Sequence, residues 1–183
     1  MRPVARPTGQ ERTFGTDELI VSKTDRQGRI VYANDVFLRV STYARGEVIG
    51  QPHNLIRHPQ MPRGVFHLLW QTISQGRELF AYIDNLAADG ANYWVLAHVT
   101  PSFGPDGSIV GYHSNRRLPQ RAAIEAIKPL YQRMLRAEAG HDQARQAAEA
   151  GAALLHGELA DSGQTYSQFV WDLIGLEHAQ AAA

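Results

Sequence analysis

Cysteine does not occur in this chain of 183 residues, and that gap removes more chemistry than any other feature of the composition. Without a thiol there is no disulfide framework, no cysteine-ligated zinc or iron–sulfur centre, no thioether-linked haem and no thiol adduct to a flavin or bilin. Surplus charge is missing too. Eighteen basic residues balance eighteen acidic ones, so neither a basic nucleic-acid surface nor a polybasic membrane anchor is expected. No run approaches the ~18 apolar residues of a membrane-spanning helix, and the basic residues of Met1–Gly15 have no hydrophobic stretch behind them. A cytoplasmic setting without membrane insertion is expected. Nucleophile motifs, a phosphate-binding glycine loop and zinc or carboxylate–histidine spacings are also lacking, so no catalytic or metal-binding residue is expected, and no enzyme.

What is present is a globular composition, 44% apolar and 20% charged, long enough for one sizeable core and an appendage. Residues 1–16, with two prolines and three arginines, are expected to form a loose arm. Leu19-Ile20-Val21 and Arg29–Tyr32 flank a turn at Gly28 and predict a hairpin. Asn34 is a natural N-cap for a helical pattern through Val36, Phe37 and Val40. A short helix near Arg45–Ile49 should close at Gly50, and an amphipathic helix over Arg63–Gln75 at Gly76. The period then changes to that of strands: 79–86, a turn at Asp89-Gly90, Asn92–Pro101, a turn at Asp106-Gly107, and Ile109–Asn115. Together these predict an α+β domain with a five-stranded antiparallel sheet and short helices on one face, over residues 17–118.

Residues 119–183 read as a helical extension. Ile124, Ile127, Leu130, Tyr131, Met134 and Leu135 keep helical spacing, with Pro129 expected to kink or restart the helix. Residues 137–153 are alanine-rich with a weak apolar stripe and read as a solvated connector. Thr165-Tyr-Ser-Gln168 fits a capping box, and the stripe Tyr166, Phe169, Val170, Leu173 and Ile174 has two readings. It folds back on 124–135, or it docks a partner or a second copy of the chain.

Between the second helix and Arg63 lies Gln51-Pro-His-Asn-Leu-Ile-Arg-His-Pro-Gln-Met-Pro62, with three prolines, two histidines, an arginine and an asparagine. It cannot be a long helix or a central strand, because each proline fixes φ and removes a donor. It is expected to form short pinned turns that present polar side chains.

The element order, with Tyr32-Ala-Asn34-Asp-Val-Phe37 opening the helices, resembles a PAS domain. The Pro-rich stretch, Asn92-Tyr-Trp-Val95 and Lys128-Pro-Leu-Tyr131 narrow the resemblance, over roughly 16–135, to the PAS domain of bacterial aerotaxis receptors. The resemblance implies a FAD-binding sensor of redox or oxygen-linked state acting in taxis, relaying to a chemoreceptor or histidine kinase pathway, with a homodimer possible in such a system. By position it places the cofactor-binding residues at Asn34, Arg57, His58, Phe66 and Asn85, with Trp94 on a strand bordering the pocket. Amides such as Asn34 and Asn85 can meet either sense of a flavin edge, and an arginine can pair with a diphosphate.

Leu79-Phe-Ala-Tyr-Ile-Asp-Asn85 departs from the family pattern, which has tryptophan at Leu79 and lysine at Asp84, and an aspartate at Gln60. Repulsion of a diphosphate by Asp84 is the expected consequence. Two alternatives stay open: a cofactor-free dimerisation or adaptor module with its pocket filled by Leu79, Phe80 and Tyr82, and a haem-binding gas sensor using a histidine among His53, His58 and His67.

Overall fold

Two β-rich runs around Gly28 form the first hairpin in the computed structural model, which describes the backbone of residues 5–181 and the side chains of residues 5–175. The outermost parts of the expected arm and extension, residues 1–4 and 182–183, lie outside the described residues. Strands β1 (Ile20–Asp25) and β2 (Ile30–Ala33) are followed by helices α1 (Asp35–Ser41) and α2 (Arg45–Val48), a 3-10 turn at His53–Ile56 and helix α3 (Arg63–Ile73). Strands β3 (Leu79–Leu86), β4 (Asn92–Phe103) and β5 (Ile109–Arg117) complete an antiparallel sheet of order β2-β1-β5-β4-β3. The expected α+β architecture, a five-stranded antiparallel sheet with helices on one face, is the observed one.

Period-two alternation assigns the two faces of the sheet. Asn85 pairs with Tyr93 and Ala97 with Arg116, while Ser22 and Val99 both pair with Ser114. These residues therefore share one face. His53 and Phe37 lie against that face, His53 beside Ser22 and Arg116 and Phe37 under the Arg116 guanidinium. The opposite face carries Phe80, Tyr82, Asp84, Trp94 and His98.

The Pro-rich stretch ties the two edges of this sheet together. Pro52 bridges to Arg29 beside β2, and Arg57 bridges to Asn85 of β3. Ile30 N–H donates to Gln51 O (2.8 Å) and His53 N–H to Gly28 O (2.9 Å), fixing the first anchor. Five residue steps reach about 18 Å at full extension, whereas a flat sheet with a flanking segment on each edge would need about 29 Å. The sheet must curl around the strap, which encloses the face holding Asn85 and Arg116.

The N-terminal arm is not loose along residues 8–14. Thr8 N–H donates to Gly90 O (2.9 Å), Asn92 N–H to Gln10 O (2.9 Å) and Arg12 N–H to Asn92 O (2.7 Å). The Arg12 side chain donates to Val40 O (2.8 Å) and pairs with Asp89 (2.5 Å), and Phe14 is buried. The open start of β4 offers the arm backbone partners that a sequence pattern does not display. Gly90 is needed here twice: its φ is +88°, and a Cβ would collide with the Arg6 carbonyl.

The chain divides into two compact units. One runs to Pro59 and resumes at Ile73–Leu118; the other joins Gln60–Thr72 to the residues from Pro119 on. In this second unit α4 (Arg121–Glu138) packs against α5 (Ala144–Asp161) and α6 (Tyr166–Ala181). Two expectations fail here. Helix α4 continues through Pro129 and does not restart there, because buried Ile127, Leu130, Tyr131 and Met134 outweigh the cost of one proline, ~3 kcal/mol. Residues 144–153 are not a solvated connector: Ala147, Gly151, Ala152, Leu155 and Leu159 form a buried face whose small residues give a weak hydrophobic signal but allow close approach. The capping box at α6 is made, with Thr165 N–H on Gln168 Oε1 (2.8 Å), and α6 folds back on α4.

Glu138 is a further joint of this unit. Its carboxylate is buried and accepts from Arg63 N–H (2.9 Å) and Gly64 N–H (2.8 Å), satisfying two of the unpaired donors that begin α3. Gly151 leaves room for that carboxylate; a Cβ there would overlap Glu138 Oε1.

Candidate functional site

Four buried side-chain atoms without a hydrogen-bond partner stand on the helix-covered face: Asn85 Nδ2, Tyr93 Oη, Ser114 Oγ and Arg116 Nη1. Buried polar atoms are paired in the great majority of cases. A cluster of unpaired donors on one face is a candidate binding surface for hydrogen-bond acceptors. All four can donate, and burial raises the Tyr93 phenol well above its usual range, so it keeps its proton.

Arg116 is 3% exposed. Its Nη2 donates to His53 Nε2 (2.6 Å) and Ser22 Oγ (2.9 Å), and Ser22 Oγ lies 3.1 Å from the same ring nitrogen. An accepting Nε2 requires the His53 proton on Nδ1. Desolvation, and then the neighbouring Arg116 charge, hold the imidazole down to about 3, so it is neutral at ordinary pH. Desolvation also lowers Arg116, to about 10, still protonated at pH 7.

The residues singled out from sequence separate into three groups. Asn85 is on the donor face, with Arg57 beside it through their backbone bridge. Asn34 caps α1: its Oδ1 accepts from Phe37 N–H and Val21 N–H (both 3.0 Å) and its Nδ2 donates to Leu19 O (2.8 Å), so both polar atoms are occupied locally. His58 and Trp94 fall on the other face, with Asp84. Period-two alternation turns Trp94 away from Tyr93, and His58 is set by its approach to Asp84. Phe66 belongs to α3, in the second unit, and is half-buried.

Asp84 corrects a further expectation. It shares a face with Trp94, accepts from Asn92 Nδ2 (3.0 Å) and has His58 Nδ1 at 3.8 Å, so its charge is turned away from the Asn85 side. Burial pushes the His58 imidazole below its ordinary value. Phe80 and Tyr82 likewise point away from Asn85, Phe80 stacking on His98 at 4.0 Å, so they do not fill the donor face. Tyr93 and Arg116 are the residues that sequence reasoning missed. Period-two alternation along Asn92–Pro101 sets Tyr93 on the face opposite Trp94; Arg116 lies beyond the expected end of β5 at Asn115.

A flavin fits this donor set by its chemistry, since its ring edge carries carbonyl oxygens and ring nitrogens that accept hydrogen bonds. A haem on His53 fits poorly, because the Nε2 lone pair is already engaged by Arg116 and Ser22. Among the described residues no group of three or more metal-ligating side chains converges, and no helix is long and apolar enough to cross a membrane.

Comparison with known proteins agrees with the fold. The aerotaxis receptor of Escherichia coli (strain K12) is 39% identical over 124 residues, covering 68% of this chain and 24% of the receptor. The nitrogen fixation regulatory protein of Klebsiella pneumoniae is 32% identical over 97 residues, 53% of this chain and 20% of that protein. The chain thus spans about a quarter or less of these relatives. The light-state structure of the blue-light photoreceptor Aureochrome1 LOV superposes with a TM-score of 0.54 at 23% identity, over 58% of this chain and 86% of that one, a likeness of fold. The PAS fold profile matches residues 20–114, just over half of the sequence, and the chain belongs to the PAS fold family.

Proposed function

We propose that this chain is a PAS-type sensor that holds FAD on the donor face and relays a redox- or oxygen-linked state to a signalling partner, in taxis towards favourable energy conditions. The observation that carries the reading is the gathering of partnerless buried donors, Asn85 Nδ2 and Tyr93 Oη among them, on the side enclosed by the strap. Asn85 would hold the ring edge, Phe37 with Val95 and Ile83 supply apolar cover, and Arg57 is suited to the diphosphate. Asn34 serves by fixing the start of α1 against β1.

Bound flavin supplies reversible electron uptake, which changes charge and hydrogen bonding along the ring edge. The chain's own part is to keep water from that edge, to meet the change with oriented donors, and to pass a new arrangement of the sheet to the helices beyond Pro119. Similarity to an aerotaxis receptor favours a chemoreceptor or histidine kinase pathway as the recipient. The absorption spectrum of protein purified under native conditions, then incubated with FAD, tests the reading. Flavin bands that survive gel filtration support it. A Soret band, or protein that stays colourless, overturns it.

A further inference from the structure

An arginine buried to 3% exposure is costly unless a carboxylate shares its site. Among the described residues Arg116 has none: its guanidinium is held by a neutral histidine and a serine hydroxyl, the Phe37 ring lies 5.8 Å away, and Nη1 has no hydrogen-bond partner. Two neutral acceptors orient this cation without neutralising it. Tyr93, a protonated phenol on the same face, adds a second donor and no compensating charge. Such an arrangement has the form of a preorganised receptor for a group with electron-rich oxygens.

We propose that Arg116, set in place by His53 and Ser22, is a ligand-binding residue that takes a carbonyl oxygen of the flavin's pyrimidine-dione edge, alongside Asn85 and Tyr93. The ring edge is favoured over the diphosphate because a single desolvated cation cannot offset two phosphate charges, whereas it suits an uncharged oxygen that gains negative character. The inference rests on the flavin reading and adds to it a residue outside the sequence-identified set.

The experiment compares parent protein, R116Q and R116K with two probes, FAD and phosphate-free riboflavin, by fluorescence titration, and records ligand-free melting temperatures. R116Q is expected to weaken both probes by the same factor, about tenfold or more, the worth of one charge-assisted hydrogen bond. R116K should recover part of the loss. Ligand-free R116Q should melt at the same temperature as the parent or higher, since an uncompensated buried charge is gone. Unchanged riboflavin affinity overturns the inference, as does a loss confined to FAD, which would assign Arg116 to the phosphates. A lower melting temperature of ligand-free R116Q overturns it also, because that is the mark of a structural arginine. If the parent binds neither flavin, the flavin reading fails and this inference with it. If the parent binds both and R116Q binds both with undiminished affinity, only this inference falls.

Discussion

Arg116 and Glu138 are both buried charges, 3% and 7% exposed, and the chain treats them in opposite ways. Glu138, in the helical unit, accepts two backbone N–H groups and sits in a space that Gly151 leaves open. Arg116, in the sheet unit, meets only neutral partners and keeps one nitrogen unused. A satisfied charge is there to join elements. An unsatisfied one costs stability, and that cost is retained where a ligand can offset it.

The largest effect expected on the Glu138 side comes from Glu138→Ala, which strands two donors at the start of α3. About 3 kcal/mol should be lost in urea unfolding followed by far-UV circular dichroism. Arg116→Gln in ligand-free protein should lose nothing, and an equal loss for both would dissolve the contrast. Gly151→Ala should cost about 2 kcal/mol by forcing the Glu138 carboxylate aside, an overpacking effect read in the same assay.

Acid should weaken the sheet unit through His53. Its folded value of about 3 lies below the ordinary 6.5, so between these limits the unfolded chain binds more protons and stability falls as pH is lowered. The full contribution is present above about pH 6.5, and the slope is at most about 1.4 kcal/mol per pH unit. His53→Gln should flatten a plot of stability against pH over that window; an unchanged slope would place the titration elsewhere. Smaller still, Arg12→Ala should cost about 1 kcal/mol through the lost bond to Val40 O, and Asp89→Ala, at the more exposed end of the pair, less than half of that.

The sheet was legible because its signals are local. Alternation along Asn92–Pro101, the Asp-Gly turns and the Asn34 cap each lie within a few residues of what they determine. What escaped depends on partners far along the chain. Glu138 is an ordinary helix residue until Arg63 and Gly64 are beside it, and the arm's hydrogen bonds go to Gly90 and Asn92. The face of α5 is built from alanine and glycine, so its packing leaves little hydrophobic periodicity. Within the site, the resemblance places Arg57 and His58 together by position, and sequence alone does not show that His58 lies by Asp84, on the face away from Asn85. Trp94 enters through the motif Asn92-Tyr-Trp-Val95, while its neighbour Tyr93 is the residue paired with Asn85.

The strap from Pro52 to Arg57 also sets a length. A chord that short fixes the arc it subtends, so the bow of the sheet is determined by how many residues cross it. Lengthening the crossing by one residue would let the edges β2 and β3 spread and the enclosed face open, with every strand pairing intact. A ligand that straightens the 3-10 turn at His53–Ile56 would act in the same direction, gaining reach without gaining residues, because that turn rises only ~2.0 Å per residue. The curvature of the sheet is in this sense a gauge of the strap's conformation, and of whatever lies beneath it.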